Sequence, residues 1–285
     1  MTTDIAEVTR PTPNASQNKN KAKPVRFKTN WEPVGGVKLA LSASLFVMFL
    51  TLWMLLVQGG INPIFLPSLQ AVGHAFHELY VSGNFIGDLG VSIYRVGVGF
   101  ICSALLAIPI GVLAGSFAVV RSTVEPFLGF IRYMPATAFI PLLVLWVGIG
   151  DAQKFSVIFV GTFCHLTLLI SASTGRVPTA YVESAIMLQG SRWKIVRLVI
   201  WPAARPGIFD DLRVLLGWAW TYIVVAEMVA AQSGVGYVIL KASRFLDTAT
   251  MFVGILSIGL VGLFSDVALG YLKKKLFPYL QRSRK

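Results

Sequence analysis

Long apolar runs alternate with shorter polar segments along the chain, and the runs have the length of a bilayer crossing, for which about 20 residues suffice. Leu39–Val57 carries no charge and forms the first predicted span. The second covers Val91–Val120 with Arg95 near its start, and the third covers Pro126–Ile149 and holds Arg132, Pro135 and Pro141. Phe155–Thr174, Gly207–Ala231 and Met251–Tyr271 complete a set of about six. The pattern predicts an all-α, polytopic membrane protein.

The polar segments have structure of their own. After Pro67, Ser68 is placed to cap a helix in which Leu69, Val72, Phe76, Leu79 and Tyr80 recur at helical spacing, as expected of an interfacial helix. Gly234 and Gly236 separate the fifth span from a second short helix around Tyr237–Phe245. The 175–206 loop is long for a connection between spans. Within it, Thr179–Gln189 reads as a short helix ended by a left-handed turn at Gly190. Ser191 then caps a second helix, Arg192–Trp201, which Pro202 closes. The apolar residues Tyr181, Ile186, Met187 and Leu188 make this elbow a compact knob. Two uses are open: seating in a groove on a partner, or resting as an amphipathic hairpin on the inner leaflet.

Composition narrows the class. Of the 285 residues 55% are apolar and 13% charged, against about 25% charged in soluble domains, which excludes a disordered chain, a nucleic-acid binder and an ordinary cytosolic enzyme. The net charge of +12 gathers at the two tails and in the 175–206 loop. Nineteen Lys and Arg fall on that side of the spans, against Lys154, Lys241 and Arg244 on the other. The positive-inside rule then places both termini and the loop in the cytoplasm, with the chain in the inner or plasma membrane. Residues 1–30 are expected to be a disordered cytoplasmic tail, 31–275 the transmembrane domain, and 276–285 a basic cytoplasmic tail. The first span is expected to be uncleaved, because the tail before it is too long and polar to open a signal peptide.

Few residues suggest chemistry. Cys102 and Cys164 lie in apolar runs, and His74 and His77 sit three apart without a third ligand, so they read as interfacial polar residues and no metal site is expected. No phosphate loop is present, so ATP hydrolysis must come from another chain. Charges inside spans are costly and default to functional hypotheses. Arg95 and Glu227 lie near the same end of their spans and either pair structurally or meet substrate. Arg132 and Arg213 either snorkel to the cytoplasmic interface or bind an anion. Trp218, Trp220 and Tyr222 either pack or line a route. Pro135 and Pro141 free backbone groups, which is tolerated where a helix borders a cavity. Arg132, Pro135, Trp218 and Tyr222 are the candidate pathway wall.

Glu183-Ser184-Ala185, a glycine shortly after, and Ile200-Trp201-Pro202 resemble the EAA loop of ABC importer permeases. Ser92-Ile-Tyr-Arg95-Val-Gly-Val-Gly-Phe100, Arg132-Tyr-Met-Pro135, Pro141-Leu142 and Trp146-Val-Gly148-Ile-Gly150 resemble the nitrate/taurine branch of that family, which also handles sulfonates and bicarbonate. So do Pro202-Ala-Ala, Asp211-Leu-Arg213, Ala226-Glu227 and Gly234-Val-Gly236, and the likeness runs from about residue 60 to 270. The resemblance implies a type I importer permease fold and a pathway for a small anion. It also implies a second permease copy, two ATPase subunits that bind ATP and Mg, and an extracytoplasmic solute-binding protein. No cofactor is then expected in this chain. The coupling residues are expected to be Glu183, Ser184, Ala185, Ile186, Met187, Gln189 and Gly190. Two positions depart from the family pattern: Gln189 stands where the loop glycine is usual, and Tyr133 replaces the first proline of Arg-Pro-x-Pro.

Two other classes fit less well. A secondary transporter should show repeated halves with interrupted helices, and no such repeat is seen. For an intramembrane enzyme, His165 lacks a carboxylate partner, and Asp210 and Asp211 stand about 100° apart on a helix, so they cannot face one another as a dyad.

Overall fold

The computed structural model describes residues 35–81 and 83–279, so the expected tail at 1–30 and residues 280–285 lie outside the described residues. The chain divides into two compact units, Met1–Leu52 and Trp53–Lys285. Helix α1, Gly35–Gln58, begins in the first and ends in the second. In the second unit follow α2 (Leu69–Val81), α3 (Phe85–Ser116), α4 (Ala118–Ile131), a 3₁₀ turn (Ala136–Phe139) and α5 (Ile140–Val147). Then come α6 (Asp151–Gly175), α7 (Thr179–Met187), α8 (Arg192–Ile195), a π-helical stretch (Val196–Ile200), α9 (Trp201–Ala230), α10 (Val235–Arg244) and α11 (Thr248–Leu276).

Four of the described helical runs are long and apolar enough to cross a bilayer: Phe85–Ser116, Asp151–Gly175, Arg192–Val229 and Thr248–Leu276. The pair Ala118–Ile131 and Ala136–Val147, bent by 76°, makes a fifth if it counts as one span, while the apolar part of α1, Ala43–Gln58, is shorter.

The third predicted span needs correcting. It begins at Ala118 rather than Pro126, and it is broken rather than continuous. Pro135 explains the break, because it has no N–H to donate and it disfavours helical backbone at Met134 before it. The chain restarts in the 3₁₀ turn, and Pro141 is accommodated in the first turn of α5, where N–H groups lack partners anyway.

The elbow also differs. Ser191 stands at the N-cap but makes no side-chain cap bond. Pro202 does not close the second helix, which runs on into the fifth span as one helical run, Arg192–Val229. The π-helical stretch just before Pro202 widens the backbone, which lets a proline enter without ending the helix. The left-handed residue is Gln189, with φ 58°, and not Gly190. Gln189 N–H donates to Ile186 O at 2.9 Å and Gly190 N–H to Ala185 O at 3.1 Å, the paired bonds of a Schellman cap centred on Gln189. Ser68 does cap α2, accepting from Ala71 N–H at 3.1 Å.

The core lies among α3, α6 and α9, with Val96, Ile158, Leu166, Ile170, Leu215 and Ile223 buried in it. Glycines on α3 let α6 approach closely: a Cβ at Gly111 would stand 2.7 Å from the Ile170 side chain. Thr162 Oγ1 donates to Ser103 Oγ at 2.9 Å across the same seam.

Candidate functional site

Three places bring predicted residues together. The first is a buried polar knot where the start of α3, the start of α6 and the end of α9 meet. Arg95 donates from Nη1 to Glu227 Oε1 at 2.8 Å, from Nε to Asp151 Oδ1 at 2.8 Å and from Nη1 to the Ser233 carbonyl at 2.8 Å. Glu227 also accepts from Ser92 Oγ and from Gly236 N–H, each at 2.9 Å. Asp88 Oδ1 accepts Gly234 N–H at 2.7 Å. Gly234 has φ 106°, and a Cβ there would collide with the Glu227 carboxylate, so glycine is required on both counts. A buried charge needs both an opposite charge and hydrogen bonds, and Glu227 has both. Asp151 was not foreseen; its signal was an acid directly after Gly148-Ile-Gly150, at the start of an apolar helix.

The second place is a cavity of about 240 Å³ beside the break in the third span, lined by Arg132, Tyr133, Pro135, Thr137, His165, Trp218 and Tyr222 together with apolar neighbours. All four residues of the candidate pathway wall are on this one surface. The arrangement depends on packing, because Gly161 of α6 lies against the Tyr222 ring of α9 and lets the two helices close up. At 1.5 Å per residue, His165 is about 21 Å along α6 from Asp151 and about 15 Å from Gly175, so the cavity sits near mid-depth of the bundle. The third span begins eight residues upstream of Pro126, so Arg132 stands at the C-terminal end of α4, at the break, and is exposed there. Arg132 lies 5.0 Å over the Tyr133 ring and donates from Nη2 to Tyr133 Oη at 3.2 Å, with no carboxylate in ion-pair range among the described residues. Arg213, by contrast, makes a two-pronged bond to Asp266 at 3.0 and 2.7 Å. The His165 and Trp218 ring centroids are 5.3 Å apart. In the sequence His165 reads only as a candidate catalytic residue without a carboxylate partner.

The third place is the elbow. Glu183, Ser184 and Gln189 are exposed, as are Tyr181, Ile186, Met187 and Leu188, the last two above 80%. Ala185 and Gly190 are half-buried, and Ser184 Oγ bonds back to the Ala180 carbonyl at 2.8 Å. A Cβ on Gly190 would stand 3.0 Å from the Ala185 carbonyl and 3.1 Å from Ile195 Cγ1, so this glycine serves close approach of the two helices. Among the described residues no group of three or more His, Cys, Asp or Glu side chains could hold a metal ion, and His74 and His77 border a shallow surface depression with Gln70 and Gly73.

Residues 107–278 match the family described as binding-protein-dependent transport system inner membrane component. A Brucella abortus protein named an ABC transporter permease is 35% identical over 231 residues, which are 81% of this chain and 92% of that one. A Bacillus subtilis protein named an aliphatic sulfonates transport permease, SsuC, is 33% identical over 264 residues, covering 92% of this chain and 94% of that one. In fold the chain is similar to a subunit of the inward-facing MetNI methionine ABC transporter, with TM-score 0.62 and 18% identity over 67% of this chain and 95% of that chain. The chain therefore belongs to the binding-protein-dependent transport system inner membrane components, the multi-pass permease subunits of ABC importers, whose ATPase is a separate subunit.

Proposed function

We propose that this permease imports a small oxyanion (nitrate, a sulfonate such as taurine, or bicarbonate) along a pathway bordered by the mid-depth cavity. The observation that carries the reading is the meeting of Arg132, Pro135, Trp218 and Tyr222 on one surface where the third span breaks. A guanidinium with no carboxylate in ion-pair range among the described residues attracts an oxyanion and can bond it through two parallel N–H groups. Arg132 and Tyr133 are exposed, leaving the cavity open on one side, which supports closure by a second copy of the chain. The name of the Bacillus subtilis relative favours the sulfonate class.

In this reading both termini and the 175–206 loop are cytoplasmic, residues 1–30 and the chain end are tails, and α2 and α10 lie on the outer side near the solute-binding protein. The α7 elbow seats its exposed Ile186, Met187 and Leu188 in the ATPase subunit, with Glu183 at the contact. A large apolar tip on a short helix is costly in water and finds cover in a partner groove. Two such subunits bind ATP and Mg; this chain holds no cofactor and transmits their closure through the elbow to α9, with which α8 is continuous. The pathway reading of Arg132 is tested by ATP-driven uptake in proteoliposomes holding the complete transporter. Arg132→Gln should lower uptake at least tenfold while the ATPase subunits still co-purify. Wild-type uptake by that variant would remove the cavity from the pathway.

A further inference from the structure

We propose that His165 is a second ligand of the transported anion, so that Arg132 and His165 together hold the oxyanion at a transit site midway along the pathway; this rests on the pathway reading above. His165 comes from α6 and Arg132 from the break between α4 and the 3₁₀ turn, yet both line the same cavity. Among the described residues they are the two basic side chains that line it. A guanidinium supplies up to five N–H donors, and an imidazole supplies one donor in its neutral form and two when protonated. A planar or tetrahedral oxyanion presents oxygens in several directions, so donors from two separate helices can hold it where one donor set leaves oxygens bare.

The rest of the lining suits a transit site rather than a tight store. The cavity's 240 Å³ lies below the roughly 300 Å³ at which pockets for larger ligands begin. The Trp218 ring lies beside the His165 ring, with centroids 5.3 Å apart, so the imidazole borders an aromatic wall there. Among the described residues no carboxylate lines the cavity, so an entering anion meets no like charge from them there. The ligands also sit on elements that can separate. Arg132 is on the bent third span, His165 on α6 and Trp218 on α9, so a shift of α9 driven from the elbow would part Trp218 from His165 and loosen the anion. A pathway needs binding strong enough to enter and weak enough to leave, and two donors on separable helices meet that need.

The test uses the complete transporter in detergent, with Thr137→Cys as a reporter on the cavity wall and Cys102 and Cys164 replaced by serine. The reporter's labelling rate with a hydrophilic maleimide is measured against rising sodium nitrate or sodium ethanesulfonate, at ionic strength matched with sodium chloride. Either oxyanion should protect the reporter where chloride does not. His165→Phe, which keeps a ring against Trp218 but has no donor, should raise the half-protecting concentration at least tenfold. His165→Gln, which restores an N–H, should recover most of the protection, and Arg132→Gln should lose it. Protection unchanged in His165→Phe but lost in Arg132→Gln would overturn the role of His165 and leave the pathway standing. Equal protection by chloride would overturn oxyanion holding by this pair. A reporter that no reagent reaches in any variant would overturn the pathway reading itself. Co-purification of the ATPase subunits serves as the folding control, and His165→Leu, which also has no donor, replaces His165→Phe if the latter does not assemble.

Discussion

Arg95 Nη1 and Glu227 Oε1 are 2.8 Å apart, and the two side chains are 6% and 0% exposed. The bond joins the third helix to the ninth, and the same carboxylate fixes the Gly236 N–H that starts α10. Removing one partner leaves the other buried and uncompensated, which typically costs about 3–5 kcal/mol. Arg95→Ala and Glu227→Ala should each reduce folded, membrane-inserted protein strongly, and Arg95→Ala/Glu227→Ala should cost clearly less than the sum. Thermal unfolding of the purified transporter in all four forms measures this, and strict additivity would mean that the pair contributes nothing jointly.

The close seam between α3 and α6 gives a second prediction. Gly111→Ala places a methyl against Ile170, and overpacking of this kind costs about 1–3 kcal/mol. Gly97→Ala on the same helix meets nothing within 4 Å. The thermal midpoint of the solubilised protein should therefore fall for Gly111→Ala and hold or rise slightly for Gly97→Ala. Equal midpoints would mean that the seam is looser than described.

At the elbow, Gly190→Val should disturb the meeting of α7 with Ile195, and Glu183→Lys should reverse a charge on the exposed face. Both variants should insert normally, lose co-purifying ATPase subunits and lose substrate-stimulated ATP hydrolysis. Gln189→Gly should be tolerated or mildly stabilising, because Gln189 carries the left-handed backbone that glycine adopts without strain. Retention of wild-type uptake by both Gly190→Val and Glu183→Lys would move the elbow from the ATPase to the membrane surface.

The spans were legible in the sequence because uninterrupted apolar runs report membrane crossing directly. The break at 132–135 was less so, since apolar composition continues through it and averages the bend away; Pro135 was the visible sign. The elbow was legible as a helix pair, yet its turn was assigned to Gly190 because a glycine is the usual left-handed residue. The structure uses that glycine for close packing and leaves the left-handed position to Gln189. The pairing of Arg95 with Glu227 follows from charges at matching depth, whereas Asp151 joins them only through the approach of α6 to α3. His165 could not be placed from sequence, because its neighbours Arg132 and Trp218 come from other helices and meet it through packing that Gly161 permits.

Orientation gives a further prediction. With nineteen basic residues on one side against three on the other, the positive-inside rule predicts α2 outside and the elbow inside. In intact cells, Glu78→Cys should react with an impermeant maleimide and Ser191→Cys should react only after the membrane is opened. The reverse pattern would remove the elbow from the reach of a cytoplasmic ATPase.

The central claim is that the cavity holding Arg132, His165, Trp218 and Tyr222 lies on the transport route, and side-specific access tests it most directly. Thr137→Cys, in the complete transporter with Cys102 and Cys164 replaced by serine, is labelled from the cytoplasmic face of inverted vesicles, at rest and after trapping with ATP and vanadate. Labelling should be ready at rest and at least fivefold slower in the trapped state, as the pathway closes on that side. A cysteine that reacts equally in both states, or in neither, would contradict it.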